Sequence, residues 1–125
     1  MATVLLVEDN EVNQIVASKM LKRVGLSVDI ATNGVEALTF LENNCYELIF
    51  MDLHMPKMDG YEATRKIRQL EIHTPIIAIT AATDKSVEQN CSDAGMNDFI
   101  AKPIIMAELH EKIDYWIRHQ LIESA

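Results

Sequence analysis

The stretch from residue 48 to 60, LIFMDLHMPKMDG, constrains this chain more than any other. It opens on Leu48, Ile49, Phe50 and Met51, an apolar run of the length and bulk of a strand buried on both faces. The run stops on a carboxylate, Asp52. Pro56 forbids continuation, and Asp59-Gly60 reads as a turn into the next helix. A carboxylate where a buried parallel strand meets its loop lies at the carboxyl edge of the sheet, where open α/β folds bind ligands. Asp52 is therefore either a ligand-binding group or a polar strand terminator, and the rest of the chain has to decide.

Composition narrows the classes. A chain of 125 residues is one domain with room for a core, and 49% hydrophobic with 24% charged residues is an ordinary soluble balance. No apolar run approaches the length of a membrane span, and Met1-Ala2-Thr3 leads into a strand rather than a signal peptide. Two cysteines, Cys45 and Cys91, argue for a reducing compartment without a disulfide framework, so a cytoplasmic location is expected. A net charge of −8 argues against direct contact with nucleic acid or anionic lipid and favours a metal cation or a basic partner.

Val4–Val7 forms another apolar run, ended by Glu8-Asp9-Asn10, and Asn10 is placed to cap a helix over about residues 11–24. Its i+4 row of Val12, Val16, Met20 and Val24, widened by Ala17 and Leu21, predicts the buried face, with Gly25 as the stop. Asn13 shares that side beside the acidic loop, as a capping residue or as a site residue. Val28–Ala31 alternates and reads as an edge strand. Asn33 caps a helix carrying Val35, Leu38 and Leu41 that runs out at Asn43-Asn44. After Gly60 a helix runs to about Leu70, with Arg65, Lys66 and Arg68 as a solvated basic face. A strand over Ile76–Ile79 ends on Thr80, and a polar helix over about 84–93 closes at Gly95. Asp98–Ala101 is a short strand followed by Lys102-Pro103. The final helix carries a core stripe of Met106, Leu109, Ile113, Trp116, Ile117 and Leu121. Five strands alternating with five helices predict a doubly wound α/β fold: a parallel sheet covered on both faces by right-handed crossovers.

Four of the strands end in chemistry: Glu8 and Asp9 after the first, Asp52 after the third, Thr80 after the fourth and Lys102 after the fifth. In a parallel sheet these ends converge. Three carboxylates in one pocket repel by roughly 4 kcal/mol per pair at ~4 Å and an effective dielectric near 20. A divalent cation removes that cost, and an all-oxygen set suits Mg²⁺. A hydroxyl and an ammonium beside a metalled carboxylate are what a transferring phosphoryl group requires.

With these residues the chain resembles the receiver domains of two-component response regulators, the CheY-like family, and most of all the receivers of hybrid sensor histidine kinases. The acidic pair, the Asp followed by MPKMDG, the Thr and the Lys-Pro occur in family order across nearly the whole length. The resemblance implies a flavodoxin/CheY-like five-stranded sheet in the order 2-1-3-4-5 and a single receiver domain over 1–125. It implies that Asp52 accepts a phosphoryl group from a phosphohistidine. Asp9, Asp52 and the backbone carbonyl of His54 would hold Mg²⁺, with Glu8 acting through water. Thr80, Ala81 and Lys102 would bind the phosphoryl oxygens, and Lys102-Pro103 would be cis. Thr80 and Phe99 would form the switch; phenylalanine keeps the packing half of it without the hydroxyl that many relatives carry on a tyrosine. Such a domain is a signalling switch rather than a turnover enzyme. Its partners would be a histidine kinase or a histidine-phosphotransfer domain, and its parent, if a hybrid kinase, a longer and membrane-anchored chain. The run Val7–Gln14 carries the likeness to hybrid kinases. Ala82, two residues after Thr80, offers no side chain to orient water, which predicts slow self-hydrolysis.

Two rivals share parts of this pattern. A haloacid-dehalogenase-like phosphohydrolase would carry a second Asp two residues after the nucleophile, where this chain has His54. A flavodoxin-like FMN binder needs a hydroxyl- and glycine-rich first loop, and Glu8-Asp9-Asn10 would repel its phosphate. Four glycines form no Walker or dinucleotide loop. His73, His110 and His119 have no ligand spacing, and no role is assigned to them.

Overall fold

The computed structural model describes residues 2–56, 58–81 and 85–124, with side chains as far as Ile117. Ala82 and the side chains of His119 and Leu121 lie outside the described residues. The elements alternate throughout: β1 Thr3–Val7, α1 Glu11–Arg23, β2 Ser27–Ala31, α2 Gly34–Asn43, β3 Leu48–Asp52, α3 Gly60–Gln69, β4 Ile76–Thr80, α4 Lys85–Ala94, β5 Asp98–Ala101 and α5 Met106–Ser124. The strands form one parallel sheet in the order β2-β1-β3-β4-β5. This is the fold class and strand order expected, with β2 at one edge.

Burial on both faces explains the unbroken apolar runs. Along β1, Leu5 and Val7 enter one core while Val4 and Leu6 enter the other; β3 divides likewise, with Ile49 and Met51 against Leu48 and Phe50. Ala37, Leu41, Ala63, Ile67 and Cys91 of α2–α4 close the first core. Ala17 and Leu21 of α1 with Leu109 and Ile113 of α5 close the second. Each large aliphatic side chain so buried contributes about 1.5–3 kcal/mol.

Three helix faces differ from expectation. In α1 the buried positions are Ala17, Ser18 and Leu21, whereas Val12 is 67% and Val16 52% exposed. Ala17 and Leu21 meet the sheet as expected, with Met20 and Val24 packed half-buried beside them, and of the predicted row Val12 and Val16 open to solvent. Val35 of α2 is likewise exposed, because Ala37 and Leu41 take the inner face. Arg68 is not a solvated residue: its guanidinium is half-buried and bound to four oxygens of other segments. The expected caps at Asn10 and Asn33 do form, accepting from the Asn13 and Glu36 amides, and Asp59, read as a turn residue, caps α3 by accepting from the Glu62 amide. Gly25 and Gly95 adopt positive φ at the ends of α1 and α4.

Candidate functional site

Parallel register assembles the site. Val7 of β1 pairs with Met51 of β3, so Glu8 emerges beside Asp52; Asp52 pairs with Ile79, and Thr80 with Ala101, so Lys102 follows at the same edge. Backbone bonds continue the ladder past the strand ends, from Glu8 N to Ala31 O at 3.0 Å, Leu53 N to Ile79 O at 3.3 Å and Lys102 N to Thr80 O at 2.8 Å. The carboxylates are thus carried on sheet backbone rather than on free loops.

Glu8, Asp9 and Asp52 each present a carboxylate oxygen, all within 4.8 Å of one another. At that separation each ionised pair repels by about 3 kcal/mol at an effective dielectric of 20. Glu8 and Asp52 are buried, and Asp9 is exposed at the mouth. The Lys102 ammonium lies between the two buried groups, 3.6 Å from Glu8 Oε1 and 3.5 Å from Asp52 Oδ1. One cation cannot neutralise three anions. Burial, and a hydrogen bond shared with Asp52, push the Glu8 carboxyl up to about 7 despite the opposing pull of the Asn10 amide and Lys102. The excess negative charge, the all-oxygen donors and the one open side at Asp9 fit a hard divalent cation that keeps part of its water.

The neighbouring residues define the rest of the cleft. Thr80 is fully buried at the end of β4, and Ala81 beside it is exposed. His54 is exposed and donates its backbone N–H to Asp52 Oδ1 at 3.3 Å. The Lys102–Pro103 peptide is cis. Phe99 is half-buried, with the Lys112 ammonium 5.7 Å from its ring centroid. Asn13 is exposed; its backbone amide serves the Asn10 cap, and it lines an open cavity of about 430 Å³ with Glu8, Val16, Ile79, Lys102 and Ile104. His73 and His110 are exposed.

Gln14 and Gly60 were not anticipated as parts of this site. The Gln14 side-chain amide donates to the Glu8 carbonyl at 2.7 Å and fixes the acidic loop from α1. Its one sequence signal is a position one helical turn after Asn10. At Gly60 a Cβ would stand 2.5 Å from the Asp52 carbonyl oxygen and 2.9 Å from Leu53 Cα. Only glycine lets α3 begin against the strand end that presents Asp52.

The response regulator receiver domain family matches residues 4–114. Hybrid signal transduction histidine kinase B of Dictyostelium discoideum is 44% identical over 119 residues, which takes in 85% of this chain and 6% of that protein. The chain therefore spans a small fraction of the curated relative it matches. Among solved structures, the receiver domain of sensor histidine kinase PA1611 from Pseudomonas aeruginosa superposes with a TM-score of 0.86 at 44% identity, covering 93% of this chain and 97% of that one. That structure has a magnesium ion coordinated in its active-site cleft. The receiver domain of Saccharomyces cerevisiae Ssk1, solved with the histidine phosphotransfer protein Ypd1, gives 0.89 at 32% identity over 95% of this chain and 90% of that one. Family match, fold and the acidic cleft at the carboxyl edge agree: this chain belongs to the response regulator receiver domain family.

Proposed function

We propose that residues 1–125 act as a single phosphoacceptor module, with Asp52 taking a phosphoryl group from a phosphohistidine. One observation carries this reading. The Asp52 carboxylate ends the central strand at 3% exposure, faced by the Lys102 ammonium at 3.5 Å and crowded by Glu8 and Asp9. An Asp52 oxygen would attack phosphorus in line, and the phosphorus–nitrogen bond would break as imidazole leaves with a proton. Lys102, the Thr80 hydroxyl and the Ala81 backbone would meet the charge on the phosphoryl oxygens. Mg²⁺, held by Asp9, Asp52 and the His54 carbonyl with Glu8 acting through water, would supply charge neutralisation between the carboxylates and the incoming group. Thr80 drawn toward the new phosphoryl group would leave room for Phe99 to turn, changing the face built from α4, β5 and α5. No separate substrate is turned over.

The partner would be a histidine kinase or a histidine-phosphotransfer protein of the kind solved with the Ssk1 receiver. Such a protein has to settle around the cleft mouth. There Val12, Ile15 and Val16 of α1 and Ile105 after Lys102-Pro103 are each at least half exposed and form the apolar ground for it. Among the described residues no helix is long and apolar enough to cross a membrane.

The test is intact-mass spectrometry after incubation with acetyl phosphate and Mg²⁺. The wild-type chain should gain one phosphoryl group and Asp52→Asn none. An undiminished adduct in Asp52→Asn would refute the assignment.

A further inference from the structure

We propose that Arg68 is the fulcrum on which α4 tilts. Its Nε donates to Gly95 O at 3.0 Å, Nη1 to Ile72 O and Thr74 O at 2.8 Å each, and Nη2 to Asn97 Oδ1 at 2.8 Å. Asn97 Oδ1 also accepts from Ile76 N at 2.9 Å, and the Asn97 amide donates to Ile76 O at 2.8 Å. One planar guanidinium therefore ties the end of α3, the α3–β4 connection, the start of β4 and the α4–β5 turn into a single joint. Lysine, with one compact ammonium, cannot reproduce that fork. Gly95 completes it: its φ is +105°, and a Cβ there would stand 2.9 Å from Arg68 Cγ.

The joint lies at one end of α4 and the cleft at the other. The buried residues of α4, Cys91 and Ala94, belong to the joint end. Over Lys85–Asn90 the residues are exposed except Val87, which is half-buried against the core. The cleft residues Thr80 and Ala81 precede this lightly packed end in the chain. A helix with one end clamped and the other lightly packed rotates about the clamp rather than sliding. Filling of the cleft, on the reading of its function given above, therefore moves Lys85–Asn90 and leaves the α4–β5 turn in place. A partner reading α4 senses its first half.

The experiment is amide hydrogen exchange followed by NMR on the wild-type chain and Arg68→Lys, each with Mg²⁺, with and without beryllofluoride as a phosphoryl mimic. Gln89 and Asn90 are the first α4 amides with intrahelical acceptors, so the comparison starts there. In the wild type, Gln89 and Asn90 should exchange about tenfold faster than Met96 and Asn97. Arg68→Lys should speed Met96 and Asn97 about tenfold relative to Ile49 in the central strand. That ratio separates loss of the joint from a general loss of stability, which would move all these amides together. Along α4, beryllofluoride shifts should end before Gly95 in the wild type and run on through Gly95–Asn97 in the variant; shifts at Phe99 and Lys102, which belong to the switch and the cleft, are expected in both. Uniform exchange along wild-type α4, or an unchanged ratio in Arg68→Lys, would overturn the proposal. Failure of beryllofluoride to bind would count against the phosphoacceptor reading instead, while the exchange ratios still decide on the joint.

Discussion

Two acidic sites stand at opposite edges of the same sheet, one half-buried carboxylate and one group of three, and they are built on opposite terms. At the amino edge, the Asp98 carboxylate receives the Lys112 ammonium at 2.8 Å, the Trp116 indole N–H at 2.9 Å and the Phe99 amide at 2.8 Å. Burial alone would raise its pKa, but these hydrogen bonds, with the charge of Lys112, outweigh burial and hold it below the ordinary value. At the carboxyl edge, three carboxylates face one ammonium, and Glu8 is pushed up to about 7. The first cluster is complete and holds α5 to β5. The second is in deficit; a proton on Glu8 relieves it in part, and an added divalent cation completes the site. Burial does not tell structure from function here; the balance of donors against charge does.

Removing each acid in turn tests that contrast. Asp98→Ala strands an ammonium, an indole N–H and an amide at once, so it should cost the most, about 1–3 kcal/mol in chemical denaturation. The wild-type contribution of Asp98 is present above pH ~4 and fades as pH falls through its depressed pKa. A stability loss near zero would erase the distinction between the clusters.

Glu8→Gln should do the reverse and stabilise the metal-free protein at pH 7.5, by about 1–2 kcal/mol. The sign follows from the raised pKa. Between pH ~4.5 and ~7 the folded chain holds a proton that the unfolded chain has released, so stability declines as pH rises through that window. Thermal melts of the metal-free wild type should show the decline, Glu8→Gln should flatten it, and Mg²⁺ should offset it by mass action. A metal-free wild type that gains stability from pH 5 to 7.5 would contradict the deficit.

Asp9→Asn should have the smallest effect, because Asp9 is exposed and its repulsion is screened. A slight gain in metal-free stability is expected, together with a smaller rise of the melting midpoint on adding Mg²⁺. Loss of metal-free stability would count against three opposed carboxylates.

The two clusters were not equally legible in the sequence. The carboxyl-edge residues end apolar runs, and parallel topology carries them together without any knowledge of side-chain packing. Asp98 read only as the start of a strand; the Lys112–Trp116 spacing of four on α5 was its signal, hidden inside a core stripe. Arg68 left less trace. Beside Arg65 and Lys66 it looks like any basic helix residue, and three of its four acceptors are backbone carbonyls, which no residue type announces. The face of α1 was read correctly at Ala17, Met20, Leu21 and Val24 and missed at Val12 and Val16. Hydropathy counts those valines as core, but they lie on the first turns of α1, beside the open cleft rather than against the sheet.

The order in which the strands lie along the chain has a consequence for synthesis. The carboxylates arrive early, on β1 and β3, whereas Lys102 follows β5, the last strand and an outer one. Synthesis runs from the amino terminus, and a domain folds as a unit. While β5 is still within the ribosome, a nascent chain has its acids and lacks the ammonium placed between them. It should therefore be deaf to phosphoryl donors until the last strand docks, so that competence to receive a signal comes late in synthesis.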